Sequence, residues 1–85
     1  MDYYVYVLQS IPNKRTYTGF TSDLKRRLKQ HNAGEVKSTK AYRPYKILLS
    51  ENFSDRKQAK EKELYYKNYR GRQKIKTIIE LQNSA

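Results

Sequence analysis

Two strand-forming segments that flank a short turn constrain the fold of this chain more than any other feature. The segment YYVYVLQS, residues 3–10, is rich in β-branched and aromatic residues, and RTYTGF, residues 15–20, has the same character. The turn IPNK lies between them, where Pro12 favours a reversal of the chain. The pattern predicts an antiparallel hairpin, and pairing Tyr6 with Tyr17 leaves a loop of a length that hairpins commonly use.

The predicted hairpin places its unusual residues on one face of the sheet. Side chains alternate along a strand, so Tyr4, Tyr6 and Leu8 share a face. Tyr17 and Gly19 lie on the same face of the second strand, opposite the first. The hairpin is therefore expected to bring Tyr6 and Tyr17 together.

A helix and a third strand follow the hairpin. Thr21 or Ser22 can cap the start of a helix that runs to about Asn32, and Gly34 supplies its stop. Residues 35–46 form a charged loop, and the segment YKILLSENF at its end predicts a strand with a continuous apolar run.

Two further helices complete the predicted order. Ser54 and Asp55 can cap a helix that runs to about Tyr69, and Gly71 is expected to break it. The segment RQKIKTIIELQ then predicts a third helix with a stripe of isoleucines facing inward. The order β-β-α-β-α-α predicts a small α/β (α+β) domain, in which a three-stranded, largely antiparallel sheet is flanked by three helices.

Length and composition narrow the class of protein. The 85 residues predict a single domain over residues 1–85, with a core from about residue 3 to residue 80 and a short frayed C-terminal tail. The absence of cysteine excludes a disulfide, a thiol nucleophile and a zinc–cysteine site. No apolar run is long enough to span a bilayer, and the N-terminal residues lack the basic region of a signal peptide, so the cytoplasm is the expected location.

The net charge of +11 is the strongest bulk signal. Such a positive field attracts phosphate polyanions, so nucleic acid is the expected partner. Tyr42 and Tyr45 could stack on exposed bases, although for each residue taken singly a solvated loop with tyrosines covering the core is favoured. The cations that could follow a phosphate backbone are Lys37, Lys40, Arg43 and Lys46 in the loop, and Arg70, Arg72, Lys74 and Lys76 after the second helix.

The first predicted helix carries the only histidine of the chain one turn after an arginine. Leu24 and Leu28 mark the buried stripe of this helix, His31 falls close to Leu24, and Arg27 lies on the margin of the stripe. An arginine there can extend its charged end into water, and a lone histidine there is more often a hydrogen-bonded structural residue than a catalyst. Taken alone, the structural interpretation is favoured.

The second predicted helix carries a carboxylate on its inward face. Ala59, Glu63 and Tyr66 have the i, i+4, i+7 spacing of a core-facing stripe. A carboxylate held there needs a cation, a cluster of hydrogen bonds or a metal ion to offset its desolvation. The alternative is a surface ion pair between Glu63 and Lys67 on a slightly rotated helix, and the pattern does not separate the two.

Together these segments resemble the GIY-YIG nuclease domain. The two tripeptides of the family appear here as VYV, residues 5–7, and YTG, residues 17–19. The arginine helix appears as LKRRLKQH and the glutamate helix as AKEKELYYK, in the same order and at the right spacing. The resemblance runs from about Tyr3 to Arg72. It is greatest to small single-domain bacterial members, and it extends to the catalytic part of nucleases that resolve branched DNA.

The resemblance implies a role for each matching residue. Tyr6 and Tyr17 match the two active-site tyrosines, one of which helps to activate the attacking water. Arg27 matches the arginine that neutralises charge on the scissile phosphate, and His31 matches a histidine of some branches. Glu63 matches the carboxylate that holds a single divalent ion, normally Mg²⁺, with Mn²⁺ as an alternative. Because a tyrosine at its ordinary pKa is a poor base, nearby cations are expected to favour its ionised form.

Two other positions bear on the comparison with the family. Gly19 is expected to let the strand and the substrate backbone approach each other closely. Some branches also place an asparagine late in the domain near the metal. Asn68 lies on the wrong part of the second helix for that role, and Asn83 lies in the predicted tail.

The resemblance and the charge lead to two competing functions. The first is a magnesium-dependent endonuclease that acts on DNA, most plausibly branched, flapped or single-stranded, with target choice aided by a protein partner or a second subunit. The second is a non-catalytic nucleic-acid-binding module that keeps the nuclease fold. A cationic protein attracted to anionic membranes ranks last, because no basic amphipathic stripe faces large apolar residues.

Overall fold

The computed structural model of the protein describes residues 2–83 and contains the predicted elements in the predicted order. A three-stranded, fully antiparallel sheet with strand order β2-β1-β3 forms the centre of this α+β fold, as predicted. The elements are β1 (Tyr3–Ser10), β2 (Thr16–Thr21), α1 (Leu24–Asn32), β3 (Tyr45–Phe53), α2 (Arg56–Lys67) and α3 (Tyr69–Asn83), with a 3-10 helix (Lys40–Tyr42) before β3.

The central strand β1 is buried on both faces and divides the core into two parts. Val5 and Val7 point to one face, where α2 and α3 cover them. Tyr6 and Leu8 point to the other face, where the leucines of α1 pack against them. Because side chains alternate along a strand, each face of β1 contributes to a different layer.

The predicted pairing of the hairpin is wrong by two residues. Tyr6 lies opposite Gly19, and Tyr17 lies opposite Leu8. The turn runs from residue 11 to residue 15, and Lys14 adopts a left-handed conformation within it, with φ of 67°. A shift of two residues leaves every side chain on its predicted face, so Tyr6 and Tyr17 still share a face.

The N-cap of α1 differs from the prediction, whereas its C-terminal end agrees with it. Asp23, rather than Thr21 or Ser22, is the N-cap, and its carboxylate accepts the Arg26 backbone N–H at 3.1 Å. The Thr21 hydroxyl instead accepts the backbone N–H of Asp23 at 3.1 Å, because Thr21 is the last residue of β2. Gly34, with φ of 79°, ends the helix as predicted.

The break between α2 and α3 lies at Asn68 and not at Gly71, which is buried inside α3. The Asn68 side-chain oxygen accepts the backbone N–H of Gly71 at 3.0 Å and so caps α3. A Cβ on Gly71 would lie 2.0 Å from the Tyr65 carbonyl oxygen. Gly71 therefore allows α2 and α3 to approach closely, and it lies within α3 without breaking that helix. At the other end of α2, Asp55 is the N-cap, as predicted.

The isoleucines of α3 form the predicted inward stripe. Ile75 is buried, and Ile78 and Ile79 pack partly buried against the cluster around Val5 and Val7. Within residues 2–83, no helix is long and apolar enough to cross a membrane.

Candidate active site

Tyr6 lies at the centre of the candidate active site, on the central strand β1, which pairs with β2 on one side and β3 on the other. Its side chain is 1% exposed, and its hydroxyl oxygen lies 3.1 Å from His31 Nε2. A Cβ on Gly19 would lie 2.6 Å from that hydroxyl oxygen. Gly19 thus makes room for the phenol of Tyr6, and the predicted close approach of substrate to this glycine stays a prediction.

His31 joins the central strand to the loop that precedes β3. Its imidazole is fully buried, and Nδ1 lies 2.8 Å from the Thr39 hydroxyl oxygen. The ring of Tyr17 lies 5.0 Å away, centroid to centroid. Burial, with a smaller effect from the Arg27 charge, lowers the pKa of His31 to about 4. The histidine is therefore hydrogen-bonded and neutral, as the structural interpretation holds, and it also contacts both candidate catalytic tyrosines.

Arg27 lies beside both tyrosines at the edge of the buried region. Hydrogen bonding with Tyr6 is the main reason why the pKa of Arg27 is raised, and the Tyr17 hydroxyl contributes further. Its Nη1 also donates to Gln30 Oε1 at 3.0 Å, which restrains the guanidinium. The side chain is partly exposed, so its charge is available to an incoming anion.

Arg27 favours the ionised form of Tyr6, as expected of a nearby cation, but burial outweighs this effect and the Tyr6 hydroxyl stays protonated. Burial raises the pKa of Tyr6 most, and the charges of Tyr17 and Glu63 raise it further. Hydrogen bonding and the positive charge of Arg27 lower it, but these effects do not offset burial. Any use of Tyr6 as a base therefore requires a place for its own proton.

Glu63 is buried together with Ala59 and Tyr66, which confirms the predicted inward stripe of α2. The two alternatives for Glu63, an inward carboxylate and an ion pair with Lys67, each hold in part. The carboxylate is only 8% exposed, and it also pairs with Lys67 at 3.5 Å and with Lys60 at 2.8 Å. No ion pair joins Glu63 to Arg27 in the described structure. The link between Glu63 and the tyrosines is electrostatic, through its effect on the pKa of Tyr6.

The residues around Glu63 suit one weakly held Mg²⁺ better than a protein cage. No cluster of three or more His, Asp or Glu side chains that could hold a metal occurs among residues 2–83. Mg²⁺ keeps several of its waters and needs few protein carboxylates when phosphate oxygens complete its shell. Lys60 and Lys67, which occupy the two carboxylate oxygens, are half exposed and can swing away into water.

Some of the candidate phosphate-binding cations line one of two cavities, and the others are exposed outside them. Lys37, Lys40 and Arg43 line one depression of about 580 Å³, whereas Lys46 is exposed on β3 outside it. Arg70 and Lys74 are exposed on α3, and neither lines a cavity described here. Arg72 lines a second cavity of about 740 Å³, here called the β2–α3 groove. The groove is also lined by the cations Lys14, Arg15, Lys67 and Lys76, by Tyr17 and Thr18 of β2, and by Ile79 and Glu80 of α3.

The two loop tyrosines differ in what they contact. Tyr45 is buried in the core beside Tyr6 and Leu8. The prediction that it stacks on a base is therefore wrong, and the interpretation that it covers the core is correct. Tyr42 is 37% exposed, and the Arg15 guanidinium lies 4.8 Å from its ring centroid.

Some residues of the site were missed by sequence reasoning. Thr39 is 1% exposed and bonds to His31, yet it lies in an irregular loop where no periodic pattern marks a buried position. Lys14 also lines the β2–α3 groove, but only the fold brings the hairpin turn close to α3. Asn68 is engaged in capping α3, so the late asparagine of some branches has no counterpart there.

Residues 2–76 match the GIY-YIG catalytic domain, and the chain belongs to this family. The domain implies binding of nucleic acid, and nucleases that contain it generally use divalent metal ions.

The chain covers most of the length of each of three similar small proteins. The chain is 36% identical over 84 residues to the UPF0213 protein YazA of Bacillus subtilis, covering 98% of this chain and 84% of YazA. It is 37% identical over 79 residues to the UPF0213 protein SH2523 of Staphylococcus haemolyticus, covering 92% and 95% of the two chains. The NMR structure of the UPF0213 protein BH0048 from Bacillus halodurans matches with a TM-score of 0.55 at 28% identity, covering 92% of this chain and 85% of that one.

Proposed function

We propose that this protein is a metal-dependent endonuclease that hydrolyses phosphodiester bonds in DNA, with branched, flapped or single-stranded DNA as the preferred substrates. The observation that carries the proposal is the convergence of four side chains from three elements. Tyr6 of β1 and Tyr17 of β2 meet Arg27 and His31 of α1, and the charge of Glu63 acts on Tyr6.

The arrangement suits attack of water on a phosphodiester. The water oxygen forms a bond to phosphorus, the bond from phosphorus to the leaving sugar oxygen breaks, and that oxygen takes a proton from solvent. The proton of the attacking water goes to the Tyr6 oxygen while the Tyr6 hydroxyl proton passes to His31 Nε2, 3.1 Å away. The transfer accompanies the attack and does not precede it, because burial keeps the pKa of His31 at about 4.

Charge on the phosphate is balanced by two further groups. Arg27, with its guanidinium beside both tyrosines, stabilises the negative charge that builds up on the phosphate oxygens. Glu63 is the residue that would hold a divalent ion, Mg²⁺ or Mn²⁺, which supplies Lewis-acid stabilisation of the phosphate when bound. The metal would replace the two lysines that neutralise the carboxylate in its absence.

Binding of the substrate rests on charge outside the catalytic residues. The net charge of +11 favours polyanions, and five cations line the β2–α3 groove. A partner protein or a second subunit that selects the target, and a cytoplasmic location, both stay predictions.

Cleavage of labelled DNA with Mg²⁺ tests the proposal, using branched, flapped, single-stranded and linear duplex substrates, with RNA counterparts. Wild type is expected to cut at least one of them, and Arg27→Ala and Glu63→Gln are expected to lower kcat by about 100-fold or more. Arg26→Ala and Glu61→Ala are matched controls, because both side chains are exposed on the same helices. Glu63→Gln cutting as fast as Glu61→Ala would refute the assignment of Glu63.

A non-catalytic nucleic-acid-binding module is the second candidate. The observation in its favour is that Asn68 is committed to capping α3 and leaves Glu63 without an amide partner of the kind that some branches supply. This function predicts tight, salt-dependent binding with no cleavage by wild type, and binding that Glu63→Gln leaves unchanged.

A further inference from the structure

We propose that Thr39 is a positioning residue that holds His31 in the tautomer with its proton on Nδ1, so that Nε2 accepts the hydroxyl proton of Tyr6. The catalytic consequence rests on the proposed function, whereas the tautomer is a property of the folded chain. Thr39 lies outside the segments that match the family motifs. The inference comes from a chain of hydrogen bonds that begins at Tyr6, passes through His31 and Thr39, and ends at the Val36 carbonyl.

A neutral imidazole has one N–H donor and one acceptor nitrogen, so its two partners must play opposite roles. Tyr6 Oη lies 3.1 Å from Nε2, and Thr39 Oγ1 lies 2.8 Å from Nδ1. If Nδ1 carries the proton, Thr39 accepts and Tyr6 donates. If Nε2 carries it, both roles reverse. The surroundings of each partner decide between the two.

The Thr39 end favours a proton on Nδ1. A hydroxyl has a single hydrogen, and Thr39 donates it to the Val36 carbonyl oxygen at 3.3 Å. The Thr39 oxygen is then left as an acceptor, and the group that donates to it is His31 Nδ1–H.

The Tyr6 end leads to the same tautomer by a separate argument. The Arg27 guanidinium lies close enough to Tyr6 to affect the pKa of its hydroxyl, and a guanidinium can only donate hydrogen bonds. If His31 Nε2–H donated to Tyr6, the phenol oxygen would face two donor groups, and the phenol proton would lose Nε2 as its acceptor. With Nε2 unprotonated, the Tyr6 proton has its acceptor, and a lone pair of the phenol oxygen remains for water.

The loop that carries Thr39 is built to hold it in place. Thr39 donates its own backbone N–H to the Val36 carbonyl at 3.1 Å. The side chain of Asn32, at the end of α1, bonds to both the backbone N–H of Tyr45 at 2.7 Å and its carbonyl at 3.2 Å. These bonds tie the last residue of α1 to the first residue of β3, so the ends of the loop cannot separate without breaking them.

The single histidine makes the tautomer directly measurable. Long-range ¹H–¹⁵N spectra of protein labelled with ¹⁵N-histidine, recorded at pH 7 on the full chain, are expected to show Nδ1 protonated and Nε2 bare. Thr39→Ser keeps the hydroxyl and should keep this pattern, whereas Thr39→Val should shift population toward the Nε2–H form. Ser38→Ala, an exposed neighbour, is the control and should match wild type. A wild-type spectrum with the proton on Nε2 would overturn the proposal even if Thr39→Val fails to fold.

The catalytic consequence is tested on the same proteins. In the cleavage assay Thr39→Val is expected to lower kcat by about 10-fold or more with little change in KM, and Thr39→Ser is expected to restore it. Equal kcat for Thr39→Val and wild type, with the tautomer shifted, would refute the positioning role. If wild type shows the Nδ1–H form but cuts no substrate, the proposed function fails while the tautomer assignment stands.

Discussion

Gly19 lies directly opposite Tyr6, and a Cβ on Gly19 would lie 2.6 Å from the Tyr6 hydroxyl oxygen and 2.8 Å from the ring carbon that bears it. The glycine of the second tripeptide is therefore part of the packing of the tyrosine of the first. The two motifs, separated in sequence by the hairpin turn, act as one unit in the folded protein.

Gly19→Ala should displace the Tyr6 phenol and lower cleavage by about 100-fold, because a shift of about 1 Å in a catalytic group has an effect of that order. It should also destabilise the fold by about 1–3 kcal/mol through overpacking, measured by urea unfolding. In a Tyr6→Phe background the closest contact is absent, so the destabilisation by Gly19→Ala should be smaller there. Equal destabilisation in both backgrounds would show that the Tyr6 hydroxyl is not the group that needs the space.

Acid should destabilise this protein through His31. Its folded pKa of about 4 lies below the ordinary value of 6.5, so the unfolded chain binds a proton between these values and the native state does not. This contribution to stability is fully present above pH 6.5, falls as the pH drops, and has decreased by about 3 kcal/mol at pH 4.

Urea unfolding of wild type and His31→Gln between pH 4 and pH 8 isolates this effect, because all other groups titrate in both proteins. The free energy of unfolding of wild type minus that of the variant should fall as the pH drops below about 6.5. A difference that does not vary with pH would mean that His31 is not buried in its neutral form.

Gly71→Ala should destabilise the fold by about 3 kcal/mol or more, because the new methyl group would meet the backbone of α2 and not a flexible side chain. Gln73→Ala, an exposed change in the same helix, serves as the control and should have little effect. Thermal and urea unfolding of the two variants provide the comparison, and a stable Gly71→Ala protein would contradict the close approach of α3 to α2.

The β2–α3 groove should contribute to binding of single-stranded DNA by neutralising phosphates. Replacing Lys14, Arg72 and Lys76 by alanine should reduce the slope of log K against log salt by up to about 2, at about 0.7 for each phosphate that is no longer neutralised. Replacing Lys25, Lys29 and Lys57, which line none of the described cavities, removes the same charge elsewhere. Fluorescence anisotropy titrations at several salt concentrations compare the two triple variants, and equal slopes would exclude a specific role for the groove.

Sequence reasoning succeeded where a pattern is local or periodic. The inward stripe that buries Glu63 follows from spacing along one helix, and the shared face of Tyr6 and Tyr17 follows from the alternation of side chains in two strands joined by a short turn. The residues that it missed depend on contacts between elements. The cap at Asn68 takes the place of the break predicted at Gly71, and Thr39 is buried only because the loop folds back onto His31. The raised pKa of Tyr6 could not be predicted without knowing how deeply the residue is buried, because burial raises this pKa whereas Arg27 lowers it.

The position of Tyr6 on β1 has a consequence for how the protein loses activity. This strand is paired on both sides and buried on both faces, and such segments exchange their amide hydrogens only when the whole chain unfolds. The candidate catalytic tyrosine therefore belongs to the last part of the molecule to open, so inactivation and global unfolding should occur at the same urea concentration. In a protein built in this way, the position of Tyr6 is lost only together with the fold as a whole.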